Sequence, residues 1–192
     1  MSLPESKLAT WVDVVGLPEG LRTEILDGQV ITAPRPSTDH AHIQTGLSGF
    51  IGHPFGFDER PGGWWILPEV DIELGPHDVV EPDLAGWRRE RVPHFPRERP
   101  VRIRPDWICE ILSTTNRRHD LITKANLYLR VGVPFYWIVD PDGRTLQAFK
   151  LVGAPGEAAW LLLGTWSDGD CLGIPPFEAV ALGVGRLFPP RQ

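Results

Sequence analysis

The alternation of apolar and polar residues predicts a chain of short strands, joined by turns rich in Gly and Pro and interrupted by a few helices. Residues 23–31 place an Asp-Gly pair between two β-prone runs, which predicts a β-hairpin. Apolar residues in 38–52 recur at helical spacing, and a shorter helix is predicted over 7–15. The chain therefore begins with a helix, a hairpin and a second helix.

The middle of the chain carries strong strand signals. Two strands are predicted over residues 64–74 and 79–87, separated by the turn-forming sequence Gly-Pro-His-Asp. Residues 107–112 are apolar except for Glu110, a pattern typical of a central strand that is buried on both faces. Residues 113–116 can cap a following helix that ends at Gly132.

The sequence of the final part of the chain predicts three more strands and a short helix at the end. Residues 135–139 and 145–149 flank the turn sequence Asp-Pro-Asp-Gly, which predicts a second hairpin. One more strand is predicted over 160–163, and residues 177–188 predict a short closing helix. Because no internal repeat or long linker divides the chain, a single domain over residues 1–192 is expected.

Composition and charge argue against several classes of function. No apolar run approaches the ~20 residues of a membrane-spanning helix, which argues against a membrane role. The N-terminal residues lack the basic start and apolar stretch of a secretory signal, so a cytoplasmic location is expected. The net charge of −6 disfavours non-specific attraction to nucleic acid unless the basic residues are gathered locally.

Basic residues are indeed gathered in one arginine-rich segment, with acidic residues among them. The arginine-rich segment, residues 88–104, contains Arg88, Arg89, Arg91, Arg97, Arg99, Arg102 and Arg104. Arg117 and Arg118 follow it in the sequence. It is either a solvated loop or a surface that faces phosphate groups, with Arg88, Arg89, Arg102, Arg104 and Arg118 as the candidate nucleic-acid contacts.

Glu110 is the strongest single indication of chemistry. An ionised carboxylate costs several kcal/mol to bury without a partner, and a metal ion is one such partner. Asp83, in the sequence Glu-Pro-Asp-Leu on the preceding predicted strand, could reach the same point. Two carboxylates with water and a backbone carbonyl make the oxygen-rich shell that Mg²⁺ accepts, and such an ion can activate water against a phosphodiester.

Other polar residues leave alternatives open. Lys124 lies one helical turn from both Asp120 and Tyr128, so it could act on a phosphate or simply pair with Asp120. His40 and His42 are two residues apart on a helix and cannot chelate one ion together. Asp71 could be a third acidic ligand or a solvent-facing carboxylate of an alternating strand.

An ordered series of motifs across the chain resembles the Uma2 family of restriction endonucleases, within the PD-(D/E)XK nuclease superfamily. The motifs are residues 22–28, Ser-Thr-Asp-His at 37–40, Glu-Pro-Asp-Leu at 81–84, Cys-Glu-Ile-Leu-Ser at 109–113, residues 118–124 and Gly-Val-Pro-Phe-Tyr-Trp-Ile-Val-Asp-Pro at 132–141. The likeness implies an α/β restriction-endonuclease-like fold, with a mixed central β-sheet flanked by helices and an N-terminal hairpin and helix.

The resemblance also implies roles for individual residues. Asp83 and Glu110 would be the metal-binding carboxylates and Lys124 the catalytic lysine, with Glu24 and His40 at the family's first acidic and histidine positions. Glu-Ile-Leu stands where the superfamily pattern has Glu-x-Lys, so the lysine must come from the following helix. The implied cofactor is Mg²⁺, with Mn²⁺ as a substitute, and a homodimer and no organic cofactor are expected.

The leading hypothesis is hydrolysis of DNA phosphodiester bonds by a metal-dependent endonuclease. One alternative is a catalytically inactive nuclease-fold module that binds nucleic acid or a protein partner, which the missing Glu-x-Lys lysine and the acidic net charge favour. Another is a metal-dependent hydrolase of a substrate other than nucleic acid, against which the arginine-rich segment argues.

Overall fold

The fold is seen in a computed structural model that describes residues 7–15, 17, 22–33, 35–113, 119–154 and 156–191. Two parts of the sequence-based predictions lie outside these residues. They are Arg117 and Arg118 of the predicted basic surface, and all but Ser113 of the predicted helix cap.

A six-stranded mixed sheet forms the centre of the fold. Its strands are β3 (Trp64–Pro68), β6 (Leu84–Arg88), β7 (Trp107–Ile111), β8 (Phe135–Asp140), β9 (Thr145–Val152) and β10 (Ala159–Trp166). The order across the sheet is β10-β9-β8-β7-β6-β3, with β7 and β8 parallel and the other neighbours antiparallel. This arrangement confirms the predicted mixed sheet, the central strand at Glu110 and the second hairpin.

A smaller four-stranded sheet carries the first hairpin, and two of its strands lie between β3 and β6 in the sequence. Its strands are β1 (Arg22–Leu26), β2 (Gln29–Ala33), β4 (Ile72–Gly75) and β5 (Asp78–Val80), in the order β2-β1-β5-β4. Asp27 and Gly28 form the turn of the predicted hairpin, with φ of 49° and 76°. Positive φ at both central residues matches the twist of the two strands, which is why Asp-Gly suits this turn.

Each of the two long strands predicted in the middle of the chain is divided, and its halves belong to different sheets. The predicted 64–74 strand breaks after Pro68, where Glu69 has a φ of 48° and turns the chain away. The predicted 79–87 strand breaks between β5 and β6, at residues 81–83. Proline cannot donate a ladder hydrogen bond, so Pro82 interrupts pairing there.

The helices differ from the predicted bounds. Helix α1 (Trp11–Val14) is shorter than predicted, whereas α2 (Thr38–Leu47) continues as a π-helix (Ser48–Phe57) beyond the predicted end at Gly52. A π-helical stretch (His119–Lys124) leads into α3 (Ala125–Val131), and Gly132 ends α3 in the left-handed conformation, as predicted.

The tail contains less helix than predicted. Strands β11 (Cys171–Leu172) and β12 (Leu182–Gly183) pair with each other, and only a 3₁₀-helix (Val184–Leu187) follows.

Side chains of β7 alternate between two buried layers. Trp107, Cys109 and Ile111 pack on one face in the same apolar cluster as Ile43 and Leu47 of α2. On the other face, Ile108 and Leu112 share a cluster with Leu127 and Tyr128 of α3. Because neighbours along a strand point to opposite faces, Glu110 lies on the α3 side of the sheet.

Candidate functional site

Glu110 is buried on β7 and binds two side chains of the following helix. Its carboxylate is only 1% exposed. Its Oε1 accepts hydrogen bonds from Lys124 Nζ at 3.1 Å and from the Tyr128 hydroxyl at 2.6 Å. Lys124 and Tyr128 are one helical turn apart, so both reach the same oxygen.

Asp83 is the last residue before β6 and is equally buried. Its Oδ2 accepts a hydrogen bond from the Ile111 backbone N–H at 2.6 Å. Its Oδ1 lies 2.9 Å from Arg22 Nη1 and 3.2 Å from His40 Nε2. The register pairs Leu84 with Cys109, and continuing it by one residue sets Asp83 opposite Glu110. Directly opposed residues of an antiparallel pair share a face of the sheet.

The first hairpin adds Glu24 to the same place. Lys124 Nζ lies 2.7 Å from Glu24 Oε1, so this lysine bridges Glu24 and Glu110. The Glu81 backbone N–H donates to the same Glu24 oxygen at 2.9 Å. The structure therefore brings together Glu24, His40, Asp83, Glu110 and Lys124, here named the acidic cluster.

Three further residues support the acidic cluster and were not selected from the sequence. Arg22 contacts Asp83 and the Glu81 backbone carbonyl, and Gln44 Nε2 donates to the Asp83 carbonyl oxygen at 3.1 Å. Tyr128 is wholly buried against Glu110. Arg22 is in the matched motif 22–28 and Tyr128 on the stripe of Lys124, so both signals were present in the sequence.

Burial and charge act in opposite directions on the ionisable groups around the cluster. Burial disfavours the charged form of Asp83, but His40 and Arg22 outweigh it and lower its pKa to about 2. Burial also opposes the charge on Arg22, yet Asp83, Glu110 and Glu24 hold its pKa above the ordinary value. Asp83 and Arg22 therefore remain an ion pair across the neutral range.

Two neighbouring groups favour their protonated forms. Burial, aided by nearby carboxylates, raises the pKa of Glu81 to about 7 although Arg22 opposes the shift. Burial and the charge of Glu110 raise the pKa of the Tyr128 phenol well above its usual value. Tyr128 therefore stays a neutral hydrogen-bond donor to Glu110.

The donor chemistry of the acidic cluster fits a hard divalent cation. Among the described residues of the site, three acidic side chains are buried, against two basic ones that contact them, Arg22 and Lys124; the acidic residues are Glu24, Asp83 and Glu110. Over the same residues, no group of three or more His, Cys, Asp or Glu is arranged to hold a metal. Mg²⁺ commonly binds through one or two carboxylates, completed by water and substrate phosphate, so an acidic pair is sufficient.

The arginines predicted to grip DNA lie at the other end of the central strands. The acidic cluster is at the start of β6 and the end of β7, whereas the arginine-rich segment joins the end of β6 to the start of β7. Arg88 and Arg89 lie over the rings of Trp64 and Trp65, at 4.6 and 3.9 Å.

The other two described candidates are also engaged within the chain. Arg102 Nε binds Glu73 Oε2 at 2.8 Å, and Arg104 Nη1 donates to the Gly132 carbonyl oxygen at 2.5 Å.

Asp71, the possible third ligand, and the buried Asp106 both have structural partners. Asp71 binds Arg99 at 2.7 Å. Asp106 accepts hydrogen bonds from the Arg88 backbone N–H and from Arg91, both at 2.8 Å. Neither residue is among the contacts of the acidic cluster described above.

Together, the mixed sheet flanked by helices and the acidic residues and lysine beside its central strands define a protein of the restriction-endonuclease-like class. The chain belongs to the Uma2 family, described as "Putative restriction endonuclease", whose sequence pattern matches residues 11–182. No curated protein matches the chain.

A solved structure shares the fold. It is a protein of Anabaena variabilis ATCC 29413 described as "a putative nuclease belonging to DUF820", with a TM-score of 0.70 and 22% identity. The alignment covers 94% of this chain and 97% of that one. Over the described part of this chain, the helices are too short or too polar to cross a bilayer.

Proposed function

We propose that this protein hydrolyses DNA phosphodiester bonds with a divalent metal ion, using Asp83, Glu110 and Lys124. The observation that carries the proposal is the position of Lys124, whose Nζ bridges two buried carboxylates beside Asp83. A lysine and two carboxylates drawn from separate elements form a constellation suited to positioning water and stabilising charge on a phosphate. Membership of a family of restriction endonucleases supports the same class of reaction.

Mg²⁺, or Mn²⁺ in its place, would be held by Asp83 and Glu110, and it would supply Lewis-acid polarisation of the phosphate and acidification of a bound water. The residues of this chain supply the rest. Arg22, His40 and the Ile111 N–H fix the Asp83 carboxylate and keep it ionised. Tyr128 holds Glu110 through a short hydrogen bond.

Lys124 is the group assigned to the scissile phosphate. Its ammonium lies within hydrogen-bonding distance of Glu24 and Glu110 and is only 2% exposed, so solvent screens its charge weakly. In that position it offsets negative charge that develops on phosphate oxygens, or orients the attacking water. Glu24 is the carboxylate that can accept a proton relayed through this water.

A catalytically inactive binding module is the second candidate, and one observation favours it. The carboxylate of Asp83 is engaged by Arg22, His40 and Ile111, so a metal ion would compete with groups that already stabilise it. In this alternative the ion pairs replace the metal, and the fold binds nucleic acid or protein without turnover.

The guanidinium groups of Arg88 and Arg89 lie over aromatic rings. The arginines of this segment that contact DNA would therefore be the more exposed ones. Arg102 is one, with 56% of its side chain exposed.

Cleavage of supercoiled plasmid with Mg²⁺ or Mn²⁺ tests the proposed function. We expect the native protein to nick or linearise the plasmid, and Asp83→Asn and Glu110→Gln to lose activity by about 100-fold or more because each loses a metal ligand. Glu178→Gln, which alters an exposed carboxylate, is the control and keeps native activity. Equal cleavage by all four proteins, or none by the native protein, contradicts the proposal.

A further inference from the structure

Two clefts adjoin each other in the arginine-rich segment. They have volumes of about 600 and 550 Å³. Residues 95–98 line both clefts, and this stretch is here named the ridge. A linear ligand that crosses the ridge would occupy both clefts.

The smaller cleft leads to the acidic cluster through Glu81. Glu81 lines this cleft, together with Leu67 and Asp71 opposite the ridge. Its Oε1 lies 3.6 Å from Arg22 Nε, and Arg22 in turn binds Asp83 at 2.9 Å. The side chains of Glu81 and Arg22 therefore separate a ligand in the smaller cleft from Asp83.

Phe95 is an anchored and exposed aromatic residue on the ridge. Its ring is 41% exposed, and it makes an edge-to-face contact with Trp65 at 5.4 Å. Trp65 is itself fixed by a hydrogen bond to the Val92 carbonyl oxygen and by the Arg89 guanidinium over its ring. A ring held in one orientation stacks on a nucleobase at little cost in side-chain entropy.

The larger cleft is basic. Its described lining has three arginines against the single carboxylate of Glu98. Arg91 pairs with Asp106 and Arg102 with Glu73, which leaves Arg97 as the arginine most available to a ligand. The Arg97 guanidinium lies over the Phe95 ring with its carbon 5.7 Å from the ring centroid. Arg97 is exposed and forms no ion pair with any described residue. A cation beside an exposed ring matches the phosphate and base of one nucleotide.

We propose that the ridge binds a single-stranded segment of the nucleic-acid substrate, with a base stacked on Phe95 and a neighbouring phosphate on Arg97. A single strand is inferred because the bases of a duplex stack on one another and offer no face to a side-chain ring. The inference rests on the proposed function in taking nucleic acid as the substrate.

Binding of a short single-stranded oligonucleotide that carries 2-aminopurine, measured in EDTA with the full chain, tests this inference. We expect the native protein to bind it more tightly than the matching duplex and to quench its fluorescence by stacking. Phe95→Ala should weaken binding by about 5- to 100-fold and abolish the quenching. Phe95→Trp should retain both, and Arg97→Glu should weaken binding with a shallower dependence on salt.

Phe57→Ala is the matched control, because Phe57 is also a surface aromatic residue, 82% exposed, but ends the π-helix (Ser48–Phe57) and lines neither cleft. The inference is overturned if Phe95→Ala and Phe57→Ala bind alike, if the duplex binds as tightly as the single strand, or if the native protein does not bind.

EDTA separates this test from that of the proposed function, because binding needs no turnover. If binding depends on Phe95 but the protein does not cleave plasmid, the inference about the ridge is supported and the proposed nuclease function is contradicted. If cleavage depends on Glu110 but binding is unaffected by Phe95→Ala, the inference about the ridge is overturned and the proposed nuclease function is supported.

Discussion

At the scale of single residues, a short hydrogen bond joins Tyr128 to Glu110. Both are buried, and their oxygens are 2.6 Å apart. A hydrogen bond from a hydroxyl to an ionised acceptor is shorter and stronger than one between neutral groups. We infer that Tyr128 sets the position of Glu110, while Lys124 supplies the charge.

A double-mutant cycle measures this contact. Tyr128→Phe leaves a buried carboxylate without one of its donors, which should lower the free energy of unfolding by about 1 to 3 kcal/mol. In a Glu110→Gln background the same change should cost less, giving a coupling energy of about 1 kcal/mol or more between the two positions. Chemical denaturation of the four proteins supplies the values, and strictly additive effects would show that the hydrogen bond contributes nothing specific.

Glu81 should make stability depend on pH. Its pKa rises from 4.5 to about 7 in the folded state, chiefly through burial. The folded protein therefore holds a proton that the unfolded chain has released, so this contribution is complete below about pH 4.5 and is lost as the pH rises through about 7. In EDTA, the native protein should lose about 1 to 3 kcal/mol of unfolding free energy over this range through Glu81.

Glu81→Gln is the comparison for this pH dependence, because it cannot ionise and is almost the same size. Denaturant titrations between pH 4 and pH 8 should show the native decline reduced in the variant. Parallel curves for the two proteins would mean that Glu81 ionises normally in the folded state.

At the scale of elements, the first hairpin delivers Arg22 and Glu24 to the site, and its turn depends on Gly28. Gly28 has a φ of 76°, and a Cβ atom there would lie 2.7 Å from Leu8 Cδ2. Gly28→Ala should therefore destabilise the fold by about 1 to 3 kcal/mol, from backbone strain and the clash together.

Gly49→Ala provides the contrast in the same thermal or chemical denaturation experiment. Gly49 is exposed in the π-helix (Ser48–Phe57), and nothing lies within 4 Å of its ideal Cβ position. Alanine there should stabilise the protein by about 0.5 to 1 kcal/mol. If Gly28→Ala were neutral or stabilising, as Gly49→Ala is expected to be, the hairpin turn would not require glycine.

The sequence predicted elements best where one local rule decided the outcome. The Asp-Gly turn gave the first hairpin, and the apolar run around Glu110 gave the central strand. The helical spacing of Lys124 and Tyr128 correctly placed both on one stripe. These features depend on neighbours along the chain, so they can be recognised without knowing the fold.

The sequence failed where distant segments decided the outcome. Residues 64–74 and 79–87 each looked like one strand, because periodicity does not show that Glu69 turns the chain or that each half pairs in a different sheet. Arg22 was missed for a related reason. Its partner Asp83 is 61 positions away, and only the pairing of β1 with β5 brings the two together.

At the scale of the whole molecule, acidic and basic residues are concentrated in different places, although the protein is acidic overall. The net charge is −6, which would repel DNA as a whole. The acidic cluster lies at one end of β6 and β7, and the arginine-rich segment begins at the other end and folds back past Glu81. Under the proposed function, binding of nucleic acid would therefore depend on this segment and not on the overall charge.

The central claim is that Asp83 and Glu110 jointly hold one divalent cation. Calorimetric titration with Mn²⁺ at neutral pH tests it most directly, with native protein, Asp83→Asn, Glu110→Gln and the exposed control Glu178→Gln in parallel. The account predicts one Mn²⁺ bound per chain by the native and control proteins, and binding weakened by about 10-fold or more in each of the other two. Equal Mn²⁺ binding by all four proteins, or no binding by the native protein, would contradict it.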